Sequence, residues 1–167
     1  AEAGVNRPKL TNGMIPICYD DESGNWKKAD VNNPNGEWYK YSEKKWANIC
    51  TVSDEVNNVK KYREAGAGTT ILESDMTTMF VWIPRYAYSI VSGLKTTNTD
   101  APSVTNAASA KIDVTFLNGI SNKDTAGTSY GKDYNLVAAT MPTPKIVHPG
   151  FKFGSKELPG IWVAKFE

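Results

Sequence analysis

The residues able to do chemistry are few, and their spacing commits them to little. The 167-residue chain holds one histidine, His148, and two cysteines, Cys18 and Cys50. That is too few soft ligands for a closed zinc site, so no metal centre is expected. His148 stands before Pro149 in what reads as a structural bend, and no Gly-x-Ser-x-Gly elbow occurs. Ala65-Gly66-Ala67-Gly68-Thr69-Thr70 lacks the Gly-Lys-Ser/Thr ending of a phosphate loop and reads as a connection. Glu73 and Asp75 are the carboxylate pair best placed for acid–base work, just before an apolar strand, but a solvated turn explains them equally well. Asp20, Asp21 and Glu22 form an acidic trio without the spacing of an EF-hand loop, and read as a hairpin tip. The expectation is a protein with no catalytic residues and no cofactor.

The more distinctive pattern is aromatic. Trp26, Trp38, Tyr39, Tyr41 and Trp46 occur with Lys40, Lys44 and Lys45 among them. Such a set stacks sugar rings or bases. It also fills the core of a small β-rich domain. Exposure of the rings separates the two readings. The net charge of +1, with 19 basic and 18 acidic residues, argues against nucleic acid as the partner and leaves a glycan or a surface receptor.

The elements that position these residues are mostly strands. Met79 to Val91 is the most apolar window of the chain, rich in aromatic and β-branched residues, and too short to span a bilayer. Pro84 interrupts it and predicts a bulge, an edge or a bend. Phe80 to Ile83 is apolar on both faces. Beyond Pro84, Tyr86, Tyr88 and Ile90 alternate with Arg85, Ala87 and Ser89. Residues 14–30 read as a hairpin, 46–52 as a strand and 53–65 as the one short helix, capped by Ser53 or Asp54. Lys111 to Leu117 reads as a half-buried strand with Ile112, Val114 and Phe116 on one face. Residues 146–154 are strand-like with a Pro-Gly break, and Gly160 to Glu167 forms a final apolar strand. Residues 92–110 and 121–145 read as long polar loops, the second holding a short Leu136–Ala139 element. The expected fold is mainly β (α+β being the alternative), an antiparallel sheet with long polar loops. The expected organisation is an extended N-terminal arm, 1–13, followed by one β-rich domain, 14–167.

Ala1 rather than methionine opens the chain, as in a processed or trimmed product, which points to an extracellular protein whose leader has been removed. A Cys18–Cys50 disulfide suits that compartment, and two buried free thiols are the alternative.

A series of phrases carries a family resemblance. Gly13-Met14-Ile15-Pro16, Trp38-Tyr39-x-Tyr41, Lys45-Trp46-Ala47-Asn48, Val81-Trp82-Ile83-Pro84-Arg85-Tyr86-Ala87-Tyr88, Val147-His148-Pro149-Gly150-Phe151 and Gly160-Ile161-Trp162-Val163-Ala164-Lys165-Phe166-Glu167 follow in this order. Together they resemble a group of secreted or surface proteins, pilin-like or prophage-associated, of low-GC Gram-positive and gut bacteria. In that group the region commonly follows a prepilin-like leader. It often precedes a part resembling the formylglycine-generating-enzyme and C-type-lectin folds. The resemblance implies a cell-surface, pilus-like or phage-tail-like role and supplies no catalytic residues. The expected function is that of a structural subunit of a filament or adhesive appendage, forming a homopolymer through its terminal strands. Ile161, Trp162, Val163 and Phe166 are the expected assembly strand, since an apolar terminal strand must be paired within its own sheet or offered to a neighbour. A glycan- or receptor-binding module is the alternative.

Overall fold

The computed structural model describes residues 4–33, 37–92, 111–131 and 145–166. The fold is mainly antiparallel β-sheet, with one α-helix among the described residues. The strands are β1 (Ile15–Asp20), β2 (Asn25–Lys28), β3 (Asn48–Val52), β4 (Met76–Pro84), β5 (Tyr86–Ser92), β6 (Lys111–Phe116), β7 (Ile146–Val147), β8 (Lys152–Phe153), β9 (Lys156–Glu157) and β10 (Gly160–Ala164). The chain packs as two compact units. Of the described residues, the first takes 7–33, 37–83 and 162–166, and the second takes 4–6, 84–92, 111–131 and 145–161. Pro84 explains the division in part. With no N–H to continue the ladder, it ends β4, and β5 begins two residues later in another sheet.

In the first unit the sheet order is β10-β4-β3-β1-β2. The β1–β2 hairpin pairs Ile17 with Lys28 and Tyr19 with Trp26. Gly24 lies in its turn at a φ of +67°, a conformation that a side chain disfavours. One face of the sheet buries Ile15, Ile17, Cys50 and Val52 against Tyr62 and Ile71. The other packs Ile49 and Trp82 with Trp38, Ala29 and Ala47. The apolar run of β4 is thereby accounted for, because Met79 serves the first cluster while Phe80 and Trp82 serve the second.

The helix is shorter than its sequence signals. A 3-10 turn at Glu55–Asn57 leads into α1 (Asn58–Glu64). Asn57 sits between them at a φ of +60°, and neither Ser53 nor Asp54 is its N-cap. Tertiary contacts hold α1 in place. Tyr62 is buried, its hydroxyl donates to Asp75 Oδ2, and the Leu72 N–H donates back to it at 3.3 Å.

In the second unit the order is β6-β5-β7, beside the β8–β9 hairpin. The alternation along β5 is as expected, and its buried face is the one with the polar residues. Arg85, Ala87 and Ser89 are buried, while Tyr86 and Tyr88 are half-buried. Arg85 ties the unit together. Its Nε donates to Ser121 O at 2.9 Å, and its Nη1 donates to Leu158 O at 3.2 Å and Phe151 O at 3.4 Å. Its Nη2 lies 2.8 Å from Glu157 Oε2. That contact is an ion pair without hydrogen-bond alignment. The extended arm is docked rather than loose. Asn6 exchanges bonds with Gly119, donating to its carbonyl and accepting from its N–H, both at 2.7 Å. Asn6 also donates to Pro159 O at 2.8 Å.

The strand at 111–116 corrects an expectation. Among the described residues it lies at a sheet edge, and its Ile112 and Val114 are exposed by 60% and 45%. Residues 121–131 form a polar turn pinned by Asp124, which accepts from Thr128 N and Tyr130 Oη. The rest of the two expected loops, including Leu136–Ala139, lies outside the described residues.

Candidate functional site: the open edge of β10

Ile161, Trp162 and Val163 are aromatic or β-branched, and they form β10 at the edge of the five-stranded sheet. Among the described residues β4 is its one neighbouring strand. Lys165, just past the strand, donates its N–H to Met79 O at 2.9 Å. Backbone groups alternate in direction along an extended strand, so Trp162 and Ala164 turn their N–H groups to the open side. Val163 is 41% exposed and Phe166 is 67% exposed. Trp162 belongs to the core instead. Its ring meets Trp82 edge-on at 5.2 Å, and its Nε1 donates to Lys9 O at 2.9 Å. Ile161 is half-buried. The four residues expected to form an assembly strand therefore divide, with Trp162 holding the strand in place while Val163 and Phe166 face solvent.

Beside this edge a groove of about 550 Å³ is lined by Trp26, Met76, Met79, Phe80 and Phe166. The Lys165 ammonium lies 4.6 Å from the centre of the Trp26 ring. Burial lowers its pKa from the usual lysine value.

The aromatic candidates for sugar stacking are mostly committed elsewhere. Trp38 is buried, and its Nε1 donates to Asn48 O at 2.7 Å. Trp26 is half-buried between Tyr19, 5.1 Å away edge-on, and Lys165. Tyr39 and Tyr41 are half-buried, with their centroids 5.3 Å apart. Trp46 alone of the five is exposed, at 39%, edge-on to Tyr41 at 5.1 Å. Of the five rings, one is thus exposed.

The proposed Cys18–Cys50 disulfide is absent, and both cysteines are free. Ile15 pairs with Cys50, and Cys18 lies three positions further along β1. An odd spacing puts the two side chains on opposite faces of the sheet, where no bridge closes. Cys50 packs in one core cluster and Cys18 against the other. Burial pushes the Cys50 thiol up to about 12 and raises that of Cys18, so neither is a ready nucleophile.

Among the described residues no group of three metal-binding side chains comes together. At the acidic hairpin tip, Asp20 is bound by Lys27 and Ser23, which hold its pKa at about 2. Asp75 is occupied by Tyr62. His148 packs with Tyr86, Tyr88 and Phe151, at ring distances of 5.2, 5.3 and 5.9 Å. Its Nδ1 accepts from Gly150 N at 3.1 Å, and burial lowers its pKa.

Reading the sequence missed the edge position of β6 and the tie made by Arg85. The charged Lys111 and Asp113 interleaved with Ile112 and Val114 were the available sign of an edge strand. Small Ala87 and Ser89 beside Arg85 were the sign of a packed face. No family model, curated protein or solved structure matches the chain.

Proposed function

We propose that this protein is a non-enzymatic structural subunit of an extracellular filament or adhesive appendage, polymerising by strand addition to β10. The observation that carries the reading is the open edge of β10, with outward N–H groups at Trp162 and Ala164 and exposed apolar Val163 and Phe166. The surface-protein resemblance of the sequence supports the setting.

The test is Ala164→Pro. Ala164 is exposed, and its N–H faces away from β4, so proline removes the outward donor and leaves the internal ladder whole. The variant is expected to fold and remain monomeric under conditions in which the parent polymerises. Polymerisation at the parent's level would remove the reading. Deleting residues 161–167 is a poorer test, because it also withdraws Trp162 from Trp82.

A second reading, a glycan-binding module, rests on the exposed Trp46 held edge-on by Tyr41. It calls for retention on a glycan array that Trp46→Ala abolishes.

A further inference from the structure

The β8–β9 hairpin of the second unit holds a phenylalanine in water. Phe153 is 80% exposed, more than any other large apolar side chain among the described residues. The hairpin turns through Gly154, at a φ of +61°, and pairs Phe153 with Lys156. Directly facing residues of an antiparallel pair lie on the same face, so the ring and the ammonium project together. The next pair of the ladder, Lys152 with Glu157, belongs to the other face, and there Glu157 meets the buried Arg85. Arg85 also holds the base of the hairpin through Phe151 O and Leu158 O, and Leu158 donates its N–H to Phe151 O at 2.7 Å. The side that carries Phe153 and Lys156 is therefore the outer one, and it stands on a fixed base.

The first unit holds a site of matching chemistry. The groove of about 550 Å³ beside β10 is lined by Met76, Met79 and Phe80, and Glu73 lines it too. Trp26 is also in its wall, with its ring taken by the Lys165 ammonium. Methionine side chains adapt to the shape of an incoming ring and attract its edge through sulfur. Glu73 and Lys156 are both exposed, and among the described residues neither forms an ion pair.

We infer that this groove receives Phe153 of a second copy of this chain, with Lys156 of that copy against Glu73. The inference rests on the self-assembly proposed above, and adds to strand addition at β10 a second contact between the same two copies. Three features select this occupant. The ring and the groove wall are both apolar. The one acidic side chain lining the groove answers the one lysine that shares the ring's face. The hairpin is fixed before binding, so little ordering is needed to seat the ring. Ring and groove are different surfaces of the molecule, so the contact is heterologous. Each copy gives one and receives one, and addition repeats unless the rotation closes a ring.

Phe153→Ser tests the assignment. The ring lies outside the buried clusters, so the variant is expected to melt with the parent in thermal unfolding. Loss of an aromatic anchor should weaken association by roughly thirtyfold or more in sedimentation velocity. Parent-like assembly of Phe153→Ser would overturn the inference and leave strand addition at β10 standing; loss of binding to phosphatidylglycerol vesicles in that variant would then give the ring to a membrane surface. Weakened assembly of Phe153→Ser beside parent-like assembly of Ala164→Pro would support the groove contact and remove the strand contact. A parent protein that stays monomeric at every concentration would overturn both. Charge exchange identifies the groove. Glu73→Lys or Lys156→Glu alone should weaken association by roughly three- to tenfold, and the two together should restore most of it. No recovery in the double variant contradicts the pairing.

Discussion

Arg85→Met should unravel the second unit. The guanidinium is fully buried, donates to three backbone carbonyls, and faces Glu157, whose side chain is 21% exposed. Methionine fills most of the volume and removes every donor, so the loss reports polar contacts more than a cavity. Removing one partner of a buried ion pair costs about 3–5 kcal/mol. Each buried carbonyl stripped of its donor adds about 1 kcal/mol or more where water cannot reach it. A loss of about 6 kcal/mol or more is a large part of the ~5–15 kcal/mol that holds a domain together. Glu157→Gln leaves the buried guanidinium without its counter-charge and should cost about 3 kcal/mol, less than Arg85→Met because the three carbonyl contacts survive. All five tryptophans lie in the first unit, so tryptophan fluorescence would miss the event. Amide hydrogen exchange of peptides covering residues 84–92 and 145–161 is the suitable assay. The expected result is a collapse of protection in Arg85→Met and a smaller drop in Glu157→Gln. Near-parental protection in Arg85→Met, or equal losses in the two variants, would refute the view that the carbonyl contacts carry the tie.

Three further outcomes follow from the same geometry. Burial keeps the His148 imidazole below its ordinary value of 6.5, so folding favours the neutral ring. Its contribution is complete above that value and declines as pH falls through the window beneath it. The difference in urea midpoint between the parent and His148→Asn should shrink from pH 7.5 to pH 5, and a constant difference contradicts this. Tyr62→Phe removes the hydroxyl shared by Asp75 and the Leu72 N–H, and should cost about 1–2 kcal/mol in urea unfolding; an unchanged midpoint would show that the hydroxyl does not hold α1. With its thiol pushed up to about 12, Cys50 should resist a thiol reagent at pH 8 in the native protein, and both cysteines should react in guanidinium; finding no thiol in the denatured chain would establish a disulfide after all.

The sequence was most legible where one residue type dominates a local choice. Pro84 marked the end of β4, the polar run after Asp20 marked a hairpin, and the doubly apolar Phe80 to Ile83 marked a strand covered on both faces. It was least legible where distant partners decide. The 53–65 pattern promised a longer helix, but Asn57 adopts a left-handed φ and only Asn58–Glu64 closes as α-helix. Alternation in β6 told which residues share a face but not which face is wet, and Ile112 and Val114 turned out to be exposed. The burial of Arg85 was not legible, because its partners, Ser121, Phe151, Glu157 and Leu158, lie 36 to 73 positions away. Of the candidate site, the strand was visible in Ile161 to Val163. Its edge position and the direction of its N–H groups depend on the sheet order, which residue types alone do not encode.

The central claim is that the open edge of β10 recruits another copy. Sedimentation velocity of the purified protein over a hundredfold range of concentration, with negative-stain microscopy of the same samples, tests it most directly. The account predicts concentration-dependent growth into regular filaments. A single monomer boundary at every concentration, with no filaments in the images, would contradict it.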